Sequence, residues 1–266
     1  MLNWTLYKRE MKGSLKMLLI FAAVISMYVA IIISMYDPKT MASLDHFYEA
    51  MPELMAAVGM HTGASSLIGF MISYLYGFIL LIFPMIFCIL RGNGLIARYA
   101  DKGSLVTLLA APVKRRTAAL TQMFVLISGI VLLLVYATGL ELAITETSFP
   151  GELVISDLLK LNAALLCLHL FIGSICFLAS CIFSDTRYSI ALGAGIPAFM
   201  YILQMLANSG EKAEIIQYFT FFTLYDANGI AAGESSAAIG AFALLIGAAA
   251  LYIAGILVFC KKDFSI

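Results

Sequence analysis

The sequence predicts an all-α polytopic membrane protein with six transmembrane helices, and its composition is the first reason. Hydrophobic residues make up 62% of the 266 residues and charged residues only 12%, whereas soluble domains average about 45–50% apolar and about 25% charged residues. Six apolar stretches are also long enough to cross a bilayer, which takes about 20 helical residues. Because these stretches are continuous rather than alternating, helices fit them better than the strands of a barrel. We therefore expect one transmembrane domain over residues 1–266.

The six predicted spans are separated by connections of unequal length. They cover about residues 17–36, 68–90, 118–140, 158–183, 189–207 and 237–260. The first apolar run follows basic residues, as the core of a signal peptide does, but at about twenty residues it is too long for one. We therefore count it as the first span.

Lysine and arginine are concentrated on one side of the predicted helices. All of the 16 basic residues except Lys39, Lys160 and Lys212 lie in the N-terminal tail, the second-to-third connection, the fourth-to-fifth connection or the C-terminus. Cytoplasmic segments of membrane proteins carry such an excess. We expect a multi-pass protein of the cell membrane with both termini in the cytoplasm.

The N-terminal tail has the pattern of an interfacial helix. Trp4, Tyr7, Met11 and Leu15 fall on one helical stripe, with lysines beside it. Such a helix would lie in the cytoplasmic interface before the first span. The alternative is that these are ordinary basic flanking residues that fix the topology.

The connection between the second and third spans has the most distinctive pattern in the chain. A glycine-serine pair interrupts the chain, and its serine can cap a helix. Three leucines then fall at positions i, i+3 and i+4, which places them on one apolar ridge. A proline ends the helix. These residues are Gly103, Ser104, Leu105, Leu108, Leu109 and Pro112. The pattern predicts a short amphipathic helix whose ridge docks on a partner. The alternative is a basic connection that only fixes the topology, with a leucine ridge that arose by chance.

Two connections on the other side are also expected to contain structure. The first holds a predicted short helix at Phe47–Met60. The last is aromatic but interrupted by polar residues, so it is too broken to span and is expected to be interfacial or re-entrant. Its aromatic residues near the headgroups would be Tyr218, Phe219, Phe221, Phe222 and Tyr225. The alternative is a belt that only anchors the last two spans.

The predicted spans offer little chemistry. Asn162 and His169 are seven residues apart and share one helix face, which makes them a candidate transport path; the alternative is polar packing between helices. An ion-coupled transporter usually needs a buried carboxylate or lysine within a span, and none is predicted. A membrane-embedded enzyme would depend on His169 and Ser180, which lie about 16 Å apart in height. The sequence has no phosphate-binding GxxxxGK[ST] loop, so any ATP would be bound by another chain.

The loop pattern resembles that of type-2 ATP-binding-cassette (ABC) export permeases. The resemblance is carried by GSLVTLLAAPVKRRTAALTQ, in which the matching residues are Gly103, Ser104, Leu105, Leu108, Leu109, Pro112 and Arg115. Asp101 stands approximately where the family often has a glutamate. Met51–Gly59, Phe221–Glu234 and Lys261–Phe264 resemble the same family.

The resemblance implies a specific assembly. The helix at about Asp101–Ala111 would be a coupling helix that docks on an ATPase, and ATP-driven closure of the ATPase pair would tilt the spans. Two ATP-binding subunits would hold ATP and magnesium, while this chain would bind no cofactor and would not itself be an enzyme. A second permease copy, identical or a paralogue, would complete the transporter in membrane lipid, with no nucleic acid involved. For an exporter, the apolar spans themselves favour an amphiphilic or hydrophobic cargo: a peptide, an antibiotic or a lipid-like molecule. The alternatives are a membrane-embedded enzyme or the membrane subunit of an uptake transporter.

Overall fold

A computed structural model confirms six helices that are long and apolar enough to cross a membrane. The structure describes residues 2–36, 51–57, 66–101, 114–209 and 211–262, and no strand occurs among them. The helices are α1 (Trp4–Ser34), α2 (Pro52–Ala57), α3 (Leu67–Met71), α4 (Leu80–Gly94), α5 (Ala97–Asp101), α6 (Arg115–Ser148), α7 (Ile155–Ile182), α8 (Thr186–Asn208), α9 (Ala227–Ala232) and α10 (Ser235–Lys261). A π-helix at Ile72–Ile79 joins α3 to α4 within the second span, and 3₁₀-helices occupy Glu211–Phe219 and Phe221–Leu224.

The central helix of the fold is α7. It packs against α4, α6, α8, α9 and α10, and both its apolar and its polar side chains are largely buried. By contrast, α1 and α8 expose large apolar side chains such as Ile20 and Phe199. A chain with apolar surface on its outer helices and a packed central helix is suited to lipid on the outside.

The N-terminal tail and the first span form one continuous helix, α1, so the prediction of a separate interfacial helix is wrong. Asn3 caps the helix by accepting a hydrogen bond from the Leu6 amide. No proline and no positive-φ glycine interrupts the following residues. The tail instead lies along α6, where the Tyr7 hydroxyl donates to Ser128 Oγ over 2.9 Å.

The third span extends past its predicted end at residue 140 and continues to Ser148. It ends only where Pro150 and Gly151 form a turn, in which Gly151 has a φ of 79°. This extension places Glu141 inside α6, where its side chain is fully buried. The expectation that no span buries a carboxylate is therefore wrong.

The two connections on the far side from the termini are described to different extents. Of the predicted helix at Phe47–Met60, the structure describes residues 51–57, which contain α2, and the remainder lies outside the described residues. In the last connection, short helices take the place of a span, and the aromatic side chains divide: Phe222 and Tyr225 are buried, whereas Tyr218 and Phe219 are exposed.

Close packing fixes the last connection against α10. A Cβ atom added at Gly240 would lie 2.5 Å from the carbonyl oxygen of Leu224. Only glycine allows this approach of backbone to backbone. The aromatic connection is therefore seated on α10.

Candidate functional site

The predicted docking residues lie mostly outside the described part of the chain. These are Gly103, Ser104, Leu105, Leu108, Leu109 and Pro112. The predicted coupling helix therefore stays a prediction. The two residues of the motif that the structure describes, Asp101 and Arg115, stand at the two ends of this segment, and each is held by the rest of the fold.

Asp101 is the last residue of α5, and its carboxylate is bound to the start of α8. The Thr186 hydroxyl donates to Asp101 Oδ2 over 3.0 Å. Thr186 directly follows Asp185, whose side chain caps α8 by accepting a hydrogen bond from the Arg187 amide. The first end of the loop is thus tied to the connection between α7 and α8.

Arg115 is the first residue of α6, and its guanidinium is bound to the end of α10. Arg115 Nη1 donates to the carbonyl oxygen of Lys262 over 2.8 Å. The Lys262 ammonium in turn donates to the carbonyl oxygen of Ile182, at the end of α7, over 2.6 Å. Burial lowers the pKa of the Lys262 ammonium from its ordinary value. The second end of the loop is thus tied to α7 and α10.

A buried serine fixes the turn between α4 and α5. The amides of Ile96 and Ala97 donate to Ser180 Oγ of α7 over 3.1 and 2.9 Å. The Ser189 hydroxyl of α8 donates to Asn93 Oδ1 over 2.8 Å. Buried backbone amides need such partners. Through these bonds, the chain that leads into the loop is attached to two other helices.

A buried ion pair attaches α1 to the same region. Arg91 Nη2 lies 2.9 Å from Glu10 Oε2 and also donates to the Glu10 carbonyl oxygen over 3.0 Å. The Tyr99 hydroxyl donates to the same carboxylate. Both charged side chains are nearly buried, at 12% exposure for Arg91 and 9% for Glu10.

Together these bonds define what we call the basic end of the molecule: residues 3–10, 91–101, 115, 180–189 and 262. Both ends of the described chain meet here, because Arg115 contacts Lys262 and Asn3 donates to Thr121 of α6 over 3.0 Å. The contacts link α1, α4, α5, α6, α7, α8 and the end of α10. A displacement at Asp101 or Arg115 would therefore reach most of the bundle.

A second polar cluster lies among the helices toward the other end, and sequence reasoning found only one of its members. Glu141 Oε2 accepts from the Tyr76 hydroxyl over 2.8 Å and from Asn162 Nδ2 over 2.9 Å. Asn162 Nδ2 also lies 2.6 Å from the Tyr76 oxygen. All three side chains are buried. Asn162 stood out as a polar residue in an apolar run, but nothing in the local sequence points to its two partners.

His169, the other member of the predicted transport path, has different neighbours. Its ring nitrogens lie 2.9 Å from the carbonyl oxygen of Leu165 and 3.2 Å from that of Leu81. Ser180, the candidate nucleophile of the enzyme alternative, is engaged with the turn between α4 and α5. The side chains of His169 and Ser180 thus both form hydrogen bonds with backbone groups and contribute to the packing of the helices.

The fold and its polar clusters define an all-helical, multi-pass membrane protein. Comparison with known proteins gave no match to any family model, curated protein or solved structure. The more specific interpretation therefore depends on the residues of the loop and on how its two ends are held.

Proposed function

We propose that this chain is the membrane-spanning permease subunit of an ATP-driven, type-2 ABC exporter. The observation that carries the proposal is the anchoring of both ends of the loop, through Asp101 to Thr186 and through Arg115 to Lys262. A loop that couples a soluble motor to a membrane bundle must be attached at both ends to the helices that move. The leucine ridge would supply the docking surface, and the anchors would transmit its displacement.

In this proposal the basic end faces the cytoplasm. The excess of lysine and arginine at this end supports that orientation. The ATPase, with its ATP and magnesium, would then meet the loop from the cytoplasmic side. The protein would be a multi-pass protein of the cell membrane with both termini in the cytoplasm, working with a second permease copy.

The mechanism follows from the connections at the basic end. Closure of two ATP-binding subunits would draw together the loops of two permease copies. Because α5 and α6 lead directly into and out of the loop, they would move with it, and the bonds to α7, α8 and α10 would carry the motion into the bundle. Such rigid-body tilting can exchange an inward-open for an outward-open state.

Docking can be tested by co-purification. The chain would be co-expressed with a soluble ABC ATPase, ideally one encoded beside it, and the complex isolated in lipid. Leu108→Glu and Leu109→Glu should abolish the association, because a charge on the ridge cannot enter an apolar groove. Thr107→Glu is the matched control, since position 107 falls on the opposite side of the predicted helix and should leave the association intact.

The possible results of the co-purification lead to different conclusions about docking. Loss of the complex with the two leucine variants and its retention with Thr107→Glu would support docking through the ridge. Retention with all three variants would overturn the docking proposal. An ATPase rate in lipid that responds to amphiphilic cargo would extend the result from assembly to transport.

A further inference from the structure

A polar cavity lies at the end of the bundle opposite to the basic end. It has a volume of about 280 Å³ and is bounded by the π-helix, the C-terminal part of α8, the two 3₁₀-helices and the start of α9. Small-molecule sites typically occupy about 300–1,000 Å³, so this cavity can hold a head group rather than a whole peptide or lipid. We call it the outer cavity.

The outer cavity is acidic and rich in oxygen atoms. Asp226 is the one charged residue among the described residues that line it, and amides and hydroxyls supply most of the other polar groups. Asp226 Oδ1 accepts from the Gly229 amide over 2.9 Å, which fixes the carboxylate at the start of α9. Since neither lysine nor arginine is among the described residues of this lining, their electrostatic potential favours a cation.

A second carboxylate lies directly behind the wall of the outer cavity. Tyr76 lines the cavity, and its hydroxyl donates to the buried Glu141. No ion pair to Glu141 occurs in the described part of the chain, so no basic side chain there is paired with this carboxyl group. A carboxyl group buried among membrane-spanning helices without an ion-pair partner is a functional candidate by default.

Within the part of the chain that the structure describes, several buried oxygen atoms of this region have no hydrogen-bond partner. Glu141 Oε1, Asn162 Oδ1 and the Tyr225 hydroxyl are all in this state. Burial raises the pKa of the Tyr225 phenol well above its ordinary value, and the charges of Glu141 and Asp226 raise it further. Tyr225 therefore lies under the influence of both carboxylates at the wall of the cavity. Buried polar atoms are rarely left without a partner, so these three oxygen atoms mark the region as a candidate site.

The backbone around Tyr76 is also unusual. Residues Ile72–Ile79 form a π-helix of eight residues; π-helical segments are rare, are mostly single turns, and are frequent at functional sites. This segment holds Tyr76 between the outer cavity and Glu141. The unusual backbone and the buried Glu141 thus both indicate the wall of the outer cavity around Tyr76 as a functional site.

We propose that the outer cavity binds the primary ammonium head group of an amphiphile. Asp226 and, through the Tyr76 hydroxyl, Glu141 would act as counter-charges. The ring faces of Phe222 and Tyr225 would add cation–π attraction. An ammonium group has three donors and no acceptor, which suits a cavity of carboxylate, amide and hydroxyl oxygens.

The exposed aromatic residues beside the cavity indicate where the apolar part of the ligand lies. Gln217 lines the cavity, and the next two residues, Tyr218 and Phe219, are 80% and 70% exposed. An alkyl or aromatic tail leaving the cavity would cover these rings. The identification of this ligand as cargo rests on the proposed exporter function, whereas binding itself requires only this chain.

Binding can be measured on the purified chain in lipid nanodiscs without an ATPase. The probe is dansylcadaverine, a dansyl fluorophore on a pentyl chain with a primary amine, and its N-acetylated form is the neutral control. We expect saturable binding of the amine at least about tenfold tighter than of the acetylated probe, a ratio that corresponds to about one unit in log Kd. Equal binding of the two probes would overturn the proposal.

Two variants locate the site. Asp226→Asn and Glu141→Gln should each weaken amine binding about tenfold while leaving the acetylated probe unaffected. Asparagine also caps helices well, so Asp226→Asn keeps the start of α9. Asp157→Asn removes an acid at the same end that is paired with Lys160 at 2.9 Å, and it should leave binding unchanged.

The experiment still tests the site if Glu141→Gln does not fold, because amine binding by Asp226→Asn is then sufficient to test it. Unchanged amine binding in Asp226→Asn, or an equal loss in Asp157→Asn, would overturn the site. Amine binding without ATPase association would overturn the exporter proposal and not the site. ATPase association without amine binding would overturn the proposed site and not the exporter proposal.

Discussion

Glu10 of α1 and Arg91 of α4 form an ion pair of 2.9 Å that is almost closed to solvent. Removing one partner leaves the other charge buried and unpaired, which typically costs about 3–5 kcal/mol. We therefore expect Arg91→Met or Glu10→Met to lower the thermal unfolding midpoint strongly, and the double variant to recover much of the loss.

The exposed pair of Asp157 and Lys160, also at 2.9 Å, is the control for this prediction. Water screens such an exposed pair, so the pair contributes little to stability, and Lys160→Met should leave the unfolding midpoint nearly unchanged. The prediction would be contradicted if the double variant of Glu10 and Arg91 were no more stable than either single variant.

The turn between α4 and α5 depends on a single hydroxyl. Ser180→Ala removes the acceptor of the Ile96 and Ala97 amides, and each unsatisfied buried group costs about 1–3 kcal/mol. Hydrogen exchange of the peptide that contains these two amides should become faster. Ser174→Ala is the matched control, because Ser174 is also buried in α7 but donates only to Phe171 of its own helix. Unchanged exchange in Ser180→Ala would show that the turn is held by other contacts.

Two neighbouring glycines of α4 should respond differently to the same substitution. A Cβ atom at Gly92 would lie 2.6 Å from the Cβ atom of Cys176, whereas one at Gly94 would meet nothing within 4 Å. Overpacking typically costs about 1–3 kcal/mol, so Gly92→Ala should lower the unfolding midpoint while Gly94→Ala leaves it equal or higher. Restored stability in Gly92→Ala combined with Cys176→Gly would identify the contact; equal effects of the two alanines would argue against it.

The proposed orientation can be read from chemical labelling. Glu152 and Ser184 are exposed residues at opposite ends of α7. A cysteine at 152 should react with a membrane-impermeant maleimide added to intact cells, whereas a cysteine at 184 should react only after permeabilisation. The parent chain supplies the background of the native cysteines. The reverse pattern would invert the proposed orientation.

The long apolar runs are sufficient to predict six spans, because each run is by itself long and apolar enough to cross the bilayer. Hydropathy places the end of the third span at residue 140, before the charged Glu141, whereas the helix continues until Pro150 and Gly151 turn the chain. The partners of Glu141 lie 65 and 21 residues away in sequence, at Tyr76 and Asn162. Such a cluster forms only when the helices pack together. The sequence pattern can therefore identify Asn162 as a polar residue in an apolar helix, but it cannot identify the residues that Asn162 contacts.

The continuity of α1 also relates the chain to the thickness of its bilayer. Glu10 precedes the end of this helix at Ser34 by a rise of about 36 Å, which exceeds the hydrocarbon thickness of about 30 Å. With Ser34 at one border, the Glu10–Arg91 pair can lie among the headgroups of the other leaflet. In lipids with longer acyl chains, these charges would be drawn toward hydrocarbon unless the helix changed its tilt. The acyl-chain length of the surrounding lipid would therefore set the environment of this ion pair.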